Sequence, residues 1–355
     1  MPIVVCIVVW LVMPERSTKA VTGGRCGTRK DGASFAEPVS VKPRRQQALY
    51  WRRTGRAASL MQKNDHNGTN ASPDLLAADE PAPFTLLNAA SHRPILLVCD
   101  HASARFPRFL GDFGLDAETR RSHRAVDLGA AELARKLAST LGAAAVFAGY
   151  SRLVVDCNRN FHDAQAFKEY SDGVDIPGNR GLSEAQKLLR AEKIYRPYHE
   201  AVAARIARLT AAGKAPLVLA IHSFTPVYEG MTRPWEAGIL WDEDDRIAAP
   251  MMDGLRRAGL VVGDNQPYSG KTRRLNYTLD QHAAAVGLPH ACIEVRQDLI
   301  EHEQGVDRIA TIIAGSVDAL PPSVYSVSQG AVMARSRAHA IDEDTKKQKR
   351  AVKQE

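Results

Sequence analysis

Short apolar runs rich in β-branched residues alternate with long amphipathic stretches between residues 85 and 320. Strands that are apolar at every position are typical of a sheet buried on both faces. Because the intervening stretches have helical spacing, the pattern predicts one α/β domain of about 235 residues with helices on both faces of its sheet. The predicted strands are Ile95–Cys99, Ala144–Ala148, Leu153–Cys157, Leu217–Ile221, Gly238–Trp241, Leu260–Val262 and Ala291–Val295. The predicted helices are Ala125–Thr140, Glu184–Ala212, Asp245–Ala258, Thr278–Val286 and Gln304–Leu320.

The segments that flank this domain have a different composition. Residues 1–84 and 321–355 are rich in Gly, Ser, Pro and charged residues without sustained periodicity, so we predict that both are disordered. The chain opens on an apolar stretch, MPIVVCIVVWLVM, that is too short to span a bilayer and lacks the basic start of a signal peptide. Two interpretations stay open for it: a start of translation assigned too early, with Met61 as the true start, or a short membrane-proximal anchor.

The net charge of +7 is unevenly distributed along the chain. The excess of Lys and Arg lies in residues 1–60 and 321–355, whereas residues 61–320 contain 29 basic and 33 acidic residues. A nucleic-acid-binding protein usually carries its basic surface on the folded domain, so we expect no nucleic acid for this core. No apolar run approaches the ~20 residues of a membrane helix, so we expect no membrane span either.

The five cysteines form no CxxC pair and are odd in number. Cys99, Cys157 and Cys292 lie in predicted strands, where a small thiol packs as an apolar side chain. Buried thiols in a reducing compartment explain them better than disulfides or a zinc ribbon. We therefore expect a cytoplasmic protein.

Polar residues follow four of the predicted strands at their carboxyl ends, where open α/β sheets place their sites. Each residue alone is a weak indication, but together they predict a single site at this edge of the sheet. The residues concerned are His101, Asn158, Arg159, His222, Glu294 and Arg296.

Two histidines held rigidly at strand ends suit a metal ion. A catalytic zinc takes about three nitrogen or oxygen ligands and leaves one position open. His101 and His222 can supply two ligands. Asp127 or His123 can supply the third, because the two residues are four apart and on a helix would share one face. For any one histidine alone, a hydrogen-bonded structural role is the alternative.

Glu294 has the surroundings of a general base. It follows the apolar residues Ala291–Ile293, and burial raises the pKa of a carboxyl and suits it to proton transfer. A salt bridge with Arg296 on the same strand is the structural alternative, and the sequence favours neither.

Asn158 and Arg159 together form a group that can bind a carboxylate. The guanidinium presents a planar fork that matches a carboxylate, and the amide adds a neutral donor. A structural pair between Asp156 and Arg159 is the alternative. Arg152 stands at the start of the same predicted strand, which places it too far along the strand to be a partner.

A series of ordered motifs resembles the N-formylglutamate amidohydrolase family, in the branch described only as predicted members. The motifs are CDHAS, HRAVDLGA, YSRLVVDCNR, SDGVDIPGN, PYH, IHSFTPV, RPWEAGIL, VGDNQPYS and IEVRQDLI. The resemblance covers roughly residues 85–318 and implies that residues 85–320 are an amidohydrolase domain similar to zinc carboxypeptidases, with a mixed, mostly parallel sheet of about eight strands. It also implies zinc-dependent hydrolysis of an N-acyl amide of an acidic amino acid. The typical small-molecule substrate is N-formyl-L-glutamate, split to formate and L-glutamate in histidine degradation.

Carried over by motif, the resemblance also implies a role for each candidate residue. The metal ligands would be His101, Asp127 and His222, the general base Glu294, and the substrate-binding residues Asn158, Arg159 and Arg296. Carboxypeptidases take two ligands from a His-x-x-Glu unit, but Ala104 stands three residues after the first histidine here, so the second ligand must come from elsewhere. The metal could also be iron, manganese or cobalt.

Two alternative functions stay open. One is hydrolysis of another N-acyl amino acid or a small peptide on the same scaffold. The other is a non-catalytic binding protein whose basic ends attach to nucleic acid or a membrane.

Overall fold

The computed structural model describes residues 74–211, 215–271 and 276–325, which form an α/β domain. The predicted disorder of residues 1–73 and of the tail from residue 326 lies outside the described residues. Folded structure begins before the expected boundary at residue 85, because Leu75 is buried in the core and Phe84 opens the first strand. Beyond the other expected boundary, Val324 is buried against the same core.

Seven strands of the described domain form one central sheet, in the order β1-β3-β2-β6-β11-β9-β10. Neighbours run parallel except β1 with β3 and β11 with β9. The predicted mixed, mostly parallel sheet is therefore confirmed, with seven strands instead of about eight. The remaining four strands form two short hairpins, β4 with β5 and β7 with β8. The bounds are β1 Phe84–Leu87, β2 Ile95–Cys99, β3 Ala144–Ala148, β4 Tyr170–Ser171, β5 Val174–Asp175, β6 Leu217–Phe224, β7 Val227–Tyr228, β8 Met231–Thr232, β9 Ala237–Leu240, β10 Val262–Asp264 and β11 His290–Arg296.

The α-helices of the described residues cover both faces of this sheet, as predicted. Their bounds are α1 Ala130–Thr140, α2 Glu184–Arg190, α3 Arg196–Ala211, α4 Ala248–Arg257, α5 Tyr277–His282 and α6 Glu303–Asp318. Helices α1, α4 and α6 pack on one face, and α3 and α5 pack on the other. A π-helical segment, Ala191–Tyr195, joins α2 to α3.

Strand β2 shows why the predicted strands are apolar throughout. Its residues Leu97 and Cys99 pack towards α1, whereas Leu96 and Val98 pack towards α3. All four are at most 1% exposed, because helices cover both faces of the strand. Polar side chains can therefore gather only at and beyond the strand ends.

Six of the seven predicted strands are present, but Leu153–Cys157 forms turns. Its carbonyl groups bond to side chains instead of to a neighbouring strand: Asn179 Nδ2 donates to Leu153 O at 2.9 Å, and Arg190 Nη1 donates to Val154 O at 3.0 Å. Because side chains satisfy these carbonyls, the backbone can be buried without a strand ladder. The apolar run thus indicated burial correctly and secondary structure wrongly.

The helix predicted over residues 125–140 begins late, at Ala130. The preceding Gly129 has φ +75°, a left-handed conformation that ends helical geometry and favours glycine. Residues 122–129 are therefore not helical, and the prediction that His123 and Asp127 share a helix face is wrong.

The three cysteines of the described residues, Cys99, Cys157 and Cys292, are buried free thiols, as expected from their apolar surroundings. The cytoplasmic location inferred from them stays a prediction. Every described helix is too short or insufficiently apolar to cross a bilayer.

Gly129 and Gly142 form a matched pair for testing how the turn before α1 is built. Both have positive φ, but a Cβ on Gly129 would lie 2.4 Å from Ile300 O, whereas a Cβ on Gly142 would meet only Arg93 Cγ at 3.9 Å. We expect Gly142→Ala to lower the free energy of unfolding by about 1–2 kcal/mol, the cost of a left-handed alanine. Gly129→Ala should cost about 1–3 kcal/mol more, because a backbone atom must move. Urea unfolding measures both, and equal losses would contradict the close approach.

Candidate functional site

Three of the predicted ligands meet at the carboxyl end of the sheet. His101 lies two residues after β2, His222 lies within β6, and Asp127 lies in the connection between β2 and α1. Since β2 and β6 are parallel neighbours, their carboxyl ends lie side by side. Each of the three side chains is at most 5% exposed, and their potential ligand atoms all lie within 4.8 Å of one another.

Asp127 Oδ2 is the point on which the two imidazoles converge. It lies 3.2 Å from His101 Nδ1 and 2.7 Å from His222 Nδ1. Two ligands of a tetrahedral zinc at ~2.0–2.1 Å lie about 3.3 Å apart, so the distance to His101 Nδ1 matches a shared cation and the distance to His222 Nδ1 would have to lengthen.

A second carboxylate contacts each imidazole at Nε2, on the side of the ring opposite Asp127. His101 Nε2 lies 2.8 Å from Asp156 Oδ1, and His222 Nε2 lies 3.1 Å from Asp100 Oδ2. With a metal bound, a carboxylate at Nε2 would keep a proton on that nitrogen and leave the Nδ1 lone pair for the metal. Metal-binding histidines characteristically carry such carboxylate partners. The donor set and its orientation therefore fit a divalent transition metal.

Asp127 remains ionised in this position. Burial works to raise the pKa of its carboxyl, but the charges and hydrogen bonds of His101 and His222 lower the pKa well below its usual range. The same carboxylate accepts from Arg152, whose Nη1 lies 3.2 Å from Asp127 Oδ1. An ionised carboxylate is the form that binds a metal.

Arg152 is a central residue of the site that the sequence analysis wrongly set aside. Its second terminal nitrogen, Nη2, lies 3.1 Å from Asp156 Oδ2. In an extended strand, the side chains of Arg152 and Asp156 would lie too far apart for this contact. Because residues 153–157 form turns, the guanidinium reaches both Asp127 and Asp156 and ties the two carboxylates together.

Asp100 is fixed by two hydroxyl groups from distant segments. Tyr198 OH donates to its Oδ1 at 2.8 Å, and Thr278 Oγ1 donates to the same atom at 2.5 Å. Tyr198 lies at the start of α3 and Thr278 in α5, so both contacts depend on tertiary packing. Tyr198 belongs to the PYH motif of the family resemblance, but nothing in that motif indicated a contact with Asp100, and no motif contained Thr278.

Glu294 lies beside this cluster on β11, where it pairs in register with His222 of β6. It is 7% exposed, and its Oε2 atom has no hydrogen-bond partner among the described residues. Burial and, to a smaller extent, the charge of Asp127 raise the pKa of Glu294 to about 7, against the opposing charge of His222. A carboxyl with this pKa can both take up and release a proton at neutral pH.

Asn158 and Arg159 line the same cavity as the three candidate ligands and Glu294. Asn158 is fixed by Thr278 N, which donates to its Oδ1 at 3.1 Å, and its Nδ2 lies 3.5 Å from His222 Nε2. Arg159 Nη1 donates to Asn158 O at 2.7 Å. Asp156 pairs with His101 and Arg152, so the structural pair with Arg159 is not its main contact.

Two other candidates lie apart from the cluster. Arg296, expected to bind substrate, donates through Nε to Asp298 Oδ1 at 2.8 Å and is outside the lining of the cavity. It therefore does not form the alternative salt bridge with Glu294 either. His123 lines the cavity, but its Nε2 pairs with Asp172 Oδ2 at 2.8 Å and it is outside the three-residue group.

The cavity has a volume of about 180 Å³ and a lining of mixed charge, with four Lys or Arg and three Asp or Glu side chains. Four basic side chains contribute to it, and the sequence analysis identified only one of them, Arg159. The other three are Arg124, Arg152 and Lys168.

Comparison with known proteins gives a family and a fold. The model of the family described as N-formylglutamate amidohydrolase matches residues 93–301, more than half of the chain. The crystal structure of gene product Atu2144 from Agrobacterium tumefaciens is similar at 39% identity and a TM-score of 0.66, over 69% of this chain and 98% of that one. An N-formylglutamate amidohydrolase from Ralstonia eutropha JMP134 shares the fold at 19% identity and a TM-score of 0.50, over 66% and 96% of the two chains. No curated protein matches the sequence.

Asp127 and His123 can be compared directly as metal ligands. We expect Asp127→Ala to lower the affinity for Zn²⁺ by more than the ~10–100-fold typical of a change behind the ligands, because an ionised ligand is lost. His123→Ala should keep the affinity of the wild type, since His123 pairs with Asp172. Titration of chelator-treated protein with Zn²⁺ in a calorimeter measures both. The reverse order would identify His123 as the ligand.

Proposed function

Because the chain belongs to the N-formylglutamate amidohydrolase family, we propose that it hydrolyses the N-acyl amide of an acidic amino acid, with N-formyl-L-glutamate as its substrate. Formate and L-glutamate are the expected products. The observation that supports this most strongly is the meeting of His101, Asp127 and His222 with Glu294 at one buried cavity. The coarser assignment, an amidohydrolase, follows from the family itself.

Three side chains would hold a cation in this reaction: His101, Asp127 and His222. Two imidazoles and one carboxylate suit zinc, although iron, manganese and cobalt accept similar ligands. When bound, such a cation supplies Lewis acidity, which polarises an acyl carbonyl and makes a coordinated water more acidic.

Glu294 carries the proton through the reaction. Its carboxylate accepts a proton from the attacking water while the water oxygen bonds to the acyl carbon. Glu294 then gives that proton to the amide nitrogen as the carbon–nitrogen bond breaks. A pKa near 7 lets one group perform both transfers, because neither protonation state is strongly favoured at neutral pH.

Asn158 and Arg159 bind and orient the substrate carboxylate. Both lie in the cavity lining next to the candidate ligands, and Asn158 is held by Thr278. A carboxylate fixed there positions the amide for attack, which lowers the entropic part of the barrier. The cavity of about 180 Å³ is smaller than the ~300–1,000 Å³ typical of pockets for larger ligands, which favours a small acyl group over a peptide.

Glu294→Gln tests the role of the base. We expect the rate of formate release from N-formyl-L-glutamate to fall about 10²–10⁴-fold, the usual contribution of a positioned acid or base. The bound metal should be retained, because Glu294 is outside the three-residue ligand group. The matched control is Glu303→Gln at an exposed position in α6, which should leave the rate unchanged. Full activity in the first variant would show that another group moves the proton.

Arg159→Ala tests carboxylate binding. We expect KM for N-formyl-L-glutamate to rise about 10–100-fold, because a hydrogen bond to a charged group is lost, while kcat falls much less. Steady-state kinetics of the variant and the wild type separate the two effects. A loss confined to kcat would assign Arg159 to the chemical step instead.

A further inference from the structure

The cations of the cavity differ in what neutralises them. Arg152 contacts the carboxylates of Asp127 and Asp156. Arg124 Nη2 lies 3.1 Å from a carboxylate oxygen of Asp172 and also donates to the carbonyl of that residue. Both guanidinium groups are thus compensated by the protein itself.

Lys168 is different. Among the described residues, its ammonium group has no ion pair and no side-chain hydrogen bond, although the residue lines the cavity. Burial, together with the nearby charges of Arg152 and Arg159, lowers the pKa of Lys168 to about 8. The group is therefore still mainly charged at pH 7, in a place where the protein resists that charge.

The backbone of Lys168 is held firmly in position. Asn179 Nδ2 donates to Lys168 O at 2.7 Å and also to Leu153 O at 2.9 Å. The other side of the same amide, Asn179 Oδ1, accepts from Arg190 Nη1 at 2.6 Å. One buried amide thereby fixes the segment of Lys168 to the segment that carries the other cavity residues.

The segment before Lys168 is fixed as well. Residues Ala164–Phe167 form a 3₁₀ turn that begins at Asp163, whose side chain accepts from Gln165 N. Ala166 O accepts from Asp156 N at 2.9 Å, and the side chains of Ala166 and Phe167 are buried. The backbone of Lys168 is therefore fixed at the cavity, and its ammonium, which has no carboxylate partner among the described residues, is suited to a charge that arrives with the ligand.

We propose that Lys168 determines substrate specificity by binding the side-chain carboxylate of a dianionic N-acyl amino acid. This inference rests on the proposed function, in which Asn158 and Arg159 bind a substrate carboxylate, and it assigns the α-carboxylate to those two residues. A glutamate- or aspartate-like substrate carries two carboxylates and can engage both points, whereas a neutral substrate forms no ion pair with the half-buried lysine. That additional ion pair gives selectivity for acidic side chains.

A binding experiment tests this independently of turnover. Zn²⁺-loaded protein is titrated with L-glutamate and with L-glutamine, which have nearly the same shape and differ in side-chain charge. We expect the wild type to bind glutamate about 10–100-fold more tightly, the range for a lost hydrogen bond to a charged group. Lys168→Met should weaken glutamate binding by that factor and leave glutamine binding unchanged. Lys168→Arg keeps the charge, so its affinity for glutamate should lie between those of the wild type and Lys168→Met.

Kinetics provide the second readout. In Lys168→Met, KM for N-formyl-L-glutamate should rise by the same factor with kcat largely kept, and the kinetics on N-formyl-L-glutamine should not change. The matched control is Lys187→Met. Lys187 lies in α2, pairs with Glu184 three residues earlier in the same helix, and does not line the cavity. This control should behave as the wild type on both substrates.

The outcomes separate the two proposals. Equal binding of glutamate and glutamine by the wild type, or equal weakening of both in Lys168→Met, would overturn the role of Lys168. If the wild type prefers glutamate and loses that preference in Lys168→Met, yet releases no formate from any formyl amino acid, the specificity role stands and the proposed reaction fails. If Lys168→Met releases formate and still prefers glutamate over glutamine as the wild type does, the proposed reaction stands and the specificity role of Lys168 fails.

Discussion

The site depends on a balance of buried charge centred on one carboxylate. Asp127, Asp100 and Asp156 are all buried, and the pKa of each lies below its usual value, so three anionic groups are packed together. Arg152 is the permanently charged partner that directly contacts two of them. Burying uncompensated charge is expensive, so the arrangement requires further positive charge at the two imidazoles. A divalent cation at that point would bring the cluster close to neutrality, which agrees with the orientation of the Nδ1 atoms.

The order of the strands brings these groups together. β2, β6 and β11 are consecutive neighbours and run parallel, so His101, His222 and Glu294 lie near the same edge although long stretches of chain separate them. β11 also pairs with β9 antiparallel, and Glu294 lies opposite Gly238 there, a position without a side chain. A Cβ on Gly238 would lie 1.8 Å from Gln266 O, so the neighbouring loop can approach the strand only because the residue is glycine. The scaffold thus fixes the distance between the reactive groups and the close approach of the loop at Gln266 to strand β9.

Local sequence patterns predicted the buried strands and the polar residues at strand ends. They missed the buried turns over residues 153–157 and the side-chain contacts that those turns allow. His101, His222 and Glu294 were identifiable because each ends or follows an apolar run whose position in a sheet is nearly forced. The turns over residues 153–157 were not identifiable, since apolar character reports burial and does not distinguish a strand from a buried loop. That single error also removed Arg152 from consideration, because its contacts exist only when the chain turns.

Two carboxyl groups at one cavity have acquired opposite properties from their surroundings. Asp127 contacts both imidazoles and Arg152, so it stays ionised, whereas Glu294 is equally desolvated but keeps an unpartnered oxygen. Burial therefore raises the pKa of Glu294 to about 7, and the negative charge of Asp127 contributes to that rise. An environment that drives two pKa values apart assigns the groups different tasks: one is a permanent anion, and the other can exchange a proton. The proposed reaction therefore depends on keeping the two carboxyl groups in different surroundings.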